Sequence, residues 1–182
     1  MKNQLMVIVI QVAFIGLLAG CAASSSSMKT DDIPAPLRVS TNAVVTLQAR
    51  ATGVQIYRCR SDKDDAARVA WLLKEPEADL FDHAGNKIGK HYAGPTWEAT
   101  DGSKVIGEVV ARADSPDANS VAWLLLSAKS TSGNGVFGLV RFIQRLRTAG
   151  GNPPSDGCNQ ASVGRELRVP YTAEYWFYVD KT

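Results

Sequence analysis

The stretch "VVTLQARATGVQIYRCR", residues Val44 to Arg60, alternates along most of its length. Odd positions Val45, Leu47, Ala49, Ala51, Tyr57 and Cys59 are mostly apolar, and even positions Thr46, Gln48, Arg50, Thr52, Arg58 and Arg60 are polar. A period of two sends successive side chains to opposite faces of a pleated strand, so the stretch predicts a half-buried β-strand or two. Val54 and Ile56 fall on the polar parity, and Gly53 just before them predicts a β-bulge that resets the phase.

The pattern extends outward from this stretch. "SDKDDAAR" (61–68) is a polar connector in which Ser61 and Asp64 have capping-box spacing. Its acids lack the alternation and glycine of a calcium loop, so a solvated surface is expected. The run "VAWLL" occurs at Val69 to Leu73 and again at Val121 to Leu125, apolar at both parities, which predicts strands covered on both sides. Turn signals recur between strand-like runs: "DHAGNK", "DGS", "SPDANS" and "TSGNG". Strands at this spacing, without helical periodicity anywhere, predict an all-β fold, an antiparallel sandwich or barrel. In "VFGLVRFIQRLR", Val140, Phe142 and Leu146 share one face and Arg141, Arg145 and Arg147 share the other with Ile143. Three arginines in a stripe could grip phosphate or carboxylate, but the expected role is the wet face of a sheet paired with acids. "YTAEYWFYV", rich in aromatic residues, reads as a closing strand packed on the body.

The chain begins "MKNQLMVIVIQVAFIGLLAGC", with basic Lys2, an apolar run from Leu5 to Leu18 broken only by Gln11, and a small-residue exit. This predicts an export signal, since the run is shorter than the roughly twenty apolar residues of a spanning helix. "LAGC" (Leu18 to Cys21) resembles the lipobox of bacterial lipoproteins. The resemblance implies that Cys21 becomes the acylated first residue and anchors the chain to a membrane. With Ala22 following, it implies the outer membrane, facing the periplasm. Residues 22–36, "AASSSSMKTDDIPAP", read as a flexible tether, and 37–182 as one domain large enough to need no metal to fold.

Without Lys2 the chain keeps nineteen basic and eighteen acidic residues, one positive charge net. Such near-neutrality excludes a general nucleic-acid binder. With Cys21 assigned to lipid, Cys59 and Cys158 remain in an oxidising compartment, and a disulfide is the simplest outcome. Two free thiols or a metal pair are the alternatives, and neither has a nearby His or Cys to support it.

"ATGVQIYRC", "EADLFD", "GKHYAGPTWEATDGSKV", "WLLL", "GVFGLVRFIQRLRTAGG" with a later Cys, and "YTAEYWFY" occur in order. Together they resemble the secreted bacterial and fungal family called domain of unknown function 3455, over about residues 35–182. The resemblance implies no activity, catalytic residue or cofactor. Some members carry a malate dehydrogenase name, but this chain has no "GxGxxG" between strand and helix, so no dinucleotide is expected.

The richest stretch for chemistry is "GKHYAGPTWEATDGSKV", residues 89–105. First, it reads as strands and turns, with Trp97 plugging the core and Asp101 and Gly102 turning a hairpin. Second, Tyr92 and Trp97 offer flat platforms, and His91, Glu98, Asp101 and Lys104 polar partners, suited to a sugar ring or peptide. Third, His91 could act as a general base oriented by Glu98 or Asp101 in a hydrolase, but its shared parity with Lys87 suggests an outward face, and no nucleophile elbow or metal-ligand spacing accompanies it. The expectation is therefore a non-catalytic binding module for an envelope glycan or peptide. The alternatives are that hydrolase and a structural or partner-binding envelope protein.

Overall fold

The stretch Val44–Arg60 lies within a single strand, β1 (Ala43–Ser61). The computed structural model describes residues 32–61, 65 and 67–181. The expected export signal, Cys21, the expected tether up to residue 31 and half of the polar connector (62–64 and 66) lie outside the described residues. Seven further strands follow: β2 (Val69–Phe81), β3 (Lys87–Tyr92), β4 (Thr96–Ala99), β5 (Lys104–Ala113), β6 (Trp123–Ser132), β7 (Phe142–Gly150) and β8 (Glu166–Asp180). Each pairs antiparallel with the next, and β8 returns to β1, closing an all-β barrel. Closure satisfies both ladders of each strand where pairing is complete and leaves no edge where β8 meets β1.

Odd residues of β1 from Leu47 to Cys59 face inward without interruption, opposite inward partners such as Ala78 and Tyr175. Gly53 is therefore not a bulge. Its ladder is regular on both sides, and a Cβ there would lie 2.1 Å from the Glu77 carbonyl oxygen, so the glycine lets β2 approach closely. The bulges lie at Ile56/Tyr57 towards β2 and at Val45/Leu47 towards β8.

An eight-stranded barrel is just wide enough for side chains to fill. Here Trp97, Phe137, Tyr175, Phe177, Leu80, Leu126 and Ile143 fill it. The lower end is plugged by Phe137 and Val140 from the β6–β7 loop, with Phe137 against Phe177 at 4.6 Å between ring centroids. At the upper end the chain folds inward at Gly151, which sits between Tyr171, Val121 and Gln55 and accepts a 2.7 Å hydrogen bond from the Tyr57 hydroxyl.

A second apolar layer lies outside. Ile33 and Leu37 pack on Trp123, Leu125, Leu146, Trp176 and Tyr178. Ile33 is 1% exposed, so the folded part begins upstream of Leu37 and takes in the end of the expected tether. This layer decides the facing of β7. Phe142 and Leu146 turn outward beneath it, while Ile143 and Arg145 turn into the barrel. The expected wet stripe of three arginines is thus split: Arg141 pairs with Asp180 and Arg147 with Glu174, but Arg145 is interior. The two "VAWLL" runs also part company. The second is covered by the core on one side and by the outer layer on the other. The first is largely exposed, with Leu73 54% accessible. A disulfide joins Cys59 to Cys158 with 5.4 Å between their Cα atoms, tying the β7–β8 loop to β1.

Candidate functional site

The stretch 89–105 forms the β3–β4 hairpin and the start of β5, and its two faces have different fates. Between Lys87 and Gly89 the register with β2 slips by one residue. The slip reverses the parity, so His91 faces inward although Lys87 is exposed. His91 and Trp97 are directly opposed on β3 and β4. Their rings stack at 4.3 Å, and Tyr175 meets both edge-on. Trp97 is 1% exposed and lies in the core rather than on a binding surface. His91 Nδ1 pairs with the Thr96 carbonyl oxygen at 2.9 Å, so the tautomer with the proton on Nδ1 satisfies it. Burial drives the imidazole pKa down to about 3, despite the Thr96 carbonyl, and the nearby Arg145 cation pushes the same way.

The outer face carries Tyr92, Glu98, Lys90 and Lys104. The Tyr92 hydroxyl donates to Glu98 Oε2 at 2.7 Å, and Lys104 and Lys90 approach the same oxygen at 3.4 and 3.5 Å. The Tyr92 hydrogen bond, with help from the two lysines, holds the Glu98 carboxyl below its usual range, and the same bond raises the Tyr92 hydroxyl. Lys90 Nζ lies 5.4 Å from the Tyr92 ring centroid. Beside this cluster, Lys87, Lys90, Glu98, Thr100 and Gly102 line a hollow of about 280 Å³. Lys90 was absent from the sequence-based set; its parity with Tyr92 on β3 was the available signal.

Asp101 belongs to neither face. Its Oδ1 accepts from the Ser103 amide and hydroxyl, and its Oδ2 accepts from the Val136 amide at 2.9 Å. Ser103 Oγ in turn accepts from the Phe137 amide at 3.1 Å. The carboxylate, held low chiefly by the Ser103 hydroxyl, clamps the β6–β7 plug to the β4–β5 turn. A base at His91 oriented by Glu98 or Asp101 is therefore not assembled. The imidazole is inside the barrel, Glu98 is on the opposite face of the hairpin, and Asp101 is engaged in the lower plug.

A second outer hollow of about 410 Å³ crosses β1, β8 and β7, lined by Arg50, Thr52, Phe81, Arg147, Thr172 and Glu174. A bulge between Leu146 and Ala149 holds Arg147 at φ 46°, and its guanidinium reaches Glu174 at 3.2 Å. Among the described residues, no three His, Cys, Asp or Glu side chains converge as a metal site would require.

Comparison with known proteins places residues 39–179 under a family model described as a protein of unknown function, DUF3455. No curated protein and no solved structure matches the chain.

Proposed function

Because the chain belongs to the DUF3455 family, whose description assigns no activity, we propose from its own residues that it is a binding module of the cell envelope, anchored by lipid at Cys21, that holds a glycan or peptide without transforming it. The observation that carries this reading is the outer face of the β3–β4 hairpin. An aromatic ring, a carboxylate and two ammonium groups are fixed there by mutual contacts beside a hollow. Groups already oriented in the free protein lose little side-chain entropy when a ligand arrives. Tyr92 supplies a flat apolar surface for a sugar or peptide face. Glu98 accepts hydroxyl or amide donors, and Lys90 and Lys104 serve acceptors. The only imidazole in the hairpin is sealed in the core, which favours recognition over proton transfer.

The test uses the mature chain with Cys21→Ser, which leaves it soluble, in calorimetric titrations against envelope glycan fragments and short peptides. Binding that weakens at least tenfold in Tyr92→Ala and in Glu98→Gln is expected. Binding indifferent to both changes, or no binding in either ligand class, overturns the reading.

A further inference from the structure

The wall between β2 and β5 is only as tall as the β3–β4 hairpin. β2 pairs with β3 only from Ala78 to Phe81, and β4 pairs with β5 only from Lys104 to Ile106. Above that level β2 (Val69–Glu77) and β5 (Glu108–Ala113) each have a neighbour on one side only. Burial follows. On the inner face of β2, Leu80 and Ala78 are buried, but Leu73, opposite inward Tyr57, is 54% exposed, and Trp71, opposite Cys59, is half-buried. On β5, Val105 is buried, whereas Val109, opposite inward Leu126, is 37% exposed, and Arg112, opposite inward Leu124, is exposed. Directly opposed residues share a face, so these are inner-face side chains reached by solvent through a side opening.

One rung crosses that opening's back wall: Arg112, Leu124, Arg145 and Tyr175 are successive partners on β5, β6, β7 and β8. Two guanidinium groups therefore share the inner face, one strand apart. Arg145 donates from Nε and Nη2 to the Ala122 carbonyl oxygen at 3.1 and 2.8 Å, and no carboxylate pairs with it among the described residues. Arg112 has no ion pair there either. Arg145 bears on Tyr57, His91, Tyr171 and Tyr175 alike, none of which supplies a negative charge. Gln55, 1% exposed, turns its side chain towards the Tyr171 hydroxyl on the same inner face. A guanidinium turned into a barrel is ordinarily met by a carboxylate. Here two guanidinium groups without a carboxylate partner among the described residues share one inner face, at an opening rimmed by exposed apolar residues.

We propose that this side opening binds a small anionic amphiphile. Its acid group lies between Arg112 and Arg145, and its apolar body rests on Val109, Leu73 and Trp71. Guanidinium groups match carboxylate and phosphate oxygens in pairs, and the apolar rim explains why Leu73 and Val109 face solvent at the mouth. The rim is held in place, because Trp71 Nε1 donates to the Asp156 carbonyl oxygen at 2.8 Å in the loop pinned by the disulfide.

The experiment titrates the mature chain carrying Cys21→Ser with dodecanoate, dodecyl phosphate and dodecanol, all below their aggregation limits, following Trp fluorescence and heat. Saturable binding of at least one acid, tenfold or more tighter than the alcohol, is expected, and the tighter acid identifies the headgroup. Arg112→Gln should weaken acid binding at least tenfold and leave the alcohol unchanged. Arg112 is exposed and unpaired among the described residues, so this variant should keep the fold. Tyr92→Ala should bind the acids as before, which separates this site from the hairpin surface. Equal binding of acids and alcohol, no binding of either acid, or acid binding indifferent to Arg112→Gln overturns the proposal.

Discussion

At the scale of single residues, His91 shows how the fold sets chemistry. An imidazole stacked on Trp97 and cut off from water cannot take up a proton until the pH is far below its ordinary value of 6.5. Between pH 6.5 and about 3 the unfolded chain binds a proton that the folded chain refuses, so stability is full above that window and declines as pH falls through it. At about 1.4 kcal/mol per pH unit, this side chain would account for about 3 kcal/mol of loss by pH 4.5. Glu98 and Asp101 have lowered pKa values, so their contributions decline only below their ordinary values of 4.5 and 3.8. We predict that urea midpoints of the wild type fall from pH 7 to 4.5, and that His91→Phe, which keeps the stack, flattens most of that fall. Parallel pH profiles for the two proteins would contradict this. The identity of the imidazole's neighbours was legible only in part. Trp97 as a core plug follows from its bulk, but the inward turn of His91 depends on a register slip between two strands, which one strand's alternation cannot reveal.

At the scale of elements, alternation located the strands, and register decided what they face. The inner set of β1 was visible as Ala49, Ala51, Tyr57 and Cys59, because period two is a local property. The facing of β7 was not, because its apolar side lies under a layer built by residues more than one hundred positions earlier, Ile33 and Leu37. The same non-local cause separates the two "VAWLL" runs, identical in sequence and opposite in burial. The candidate site divides likewise, with Tyr92, Glu98 and Lys104 brought together outside and His91 and Trp97 sent inside. Asp101 shows a turn residue working across elements, since it holds the Val136 amide of the lower plug as well as its own turn. Asp101→Ala leaves those donors without their acceptor. We expect a lower urea midpoint than wild type, with faster amide exchange concentrated at Val136 and Phe137. Unfolding unchanged from wild type, or exchange spread evenly over the barrel, would show that the plug is held by Phe137 packing alone.

At the scale of the molecule, three long-range devices hold one meander together: the β1–β8 ladder, the outer apolar layer and the Cys59–Cys158 bond. The bond closes a loop with a sequence separation of 99. For a loop of this size the chain-entropy model gives about 4.7 kcal/mol as an upper figure. The Cys59→Ser, Cys158→Ser double variant should therefore unfold at lower urea and loosen the loop that Trp71 holds at Asp156. An unchanged midpoint would mean that the bond constrains little that the barrel does not. An antiparallel all-β fold was readable from the spacing of turn signals, whereas sandwich and barrel share that spacing and differ only in whether the last strand meets the first. That closure is the premise for a filled interior and for recognition on the wall and at the side opening. Nuclear Overhauser spectroscopy of backbone protons on β1 and β8 tests it most directly. The closed barrel predicts contacts between opposed residues such as Ala49 with Tyr175 and Gly53 with Tyr171. Their absence, with β1 and β8 each paired on one side only, would contradict it.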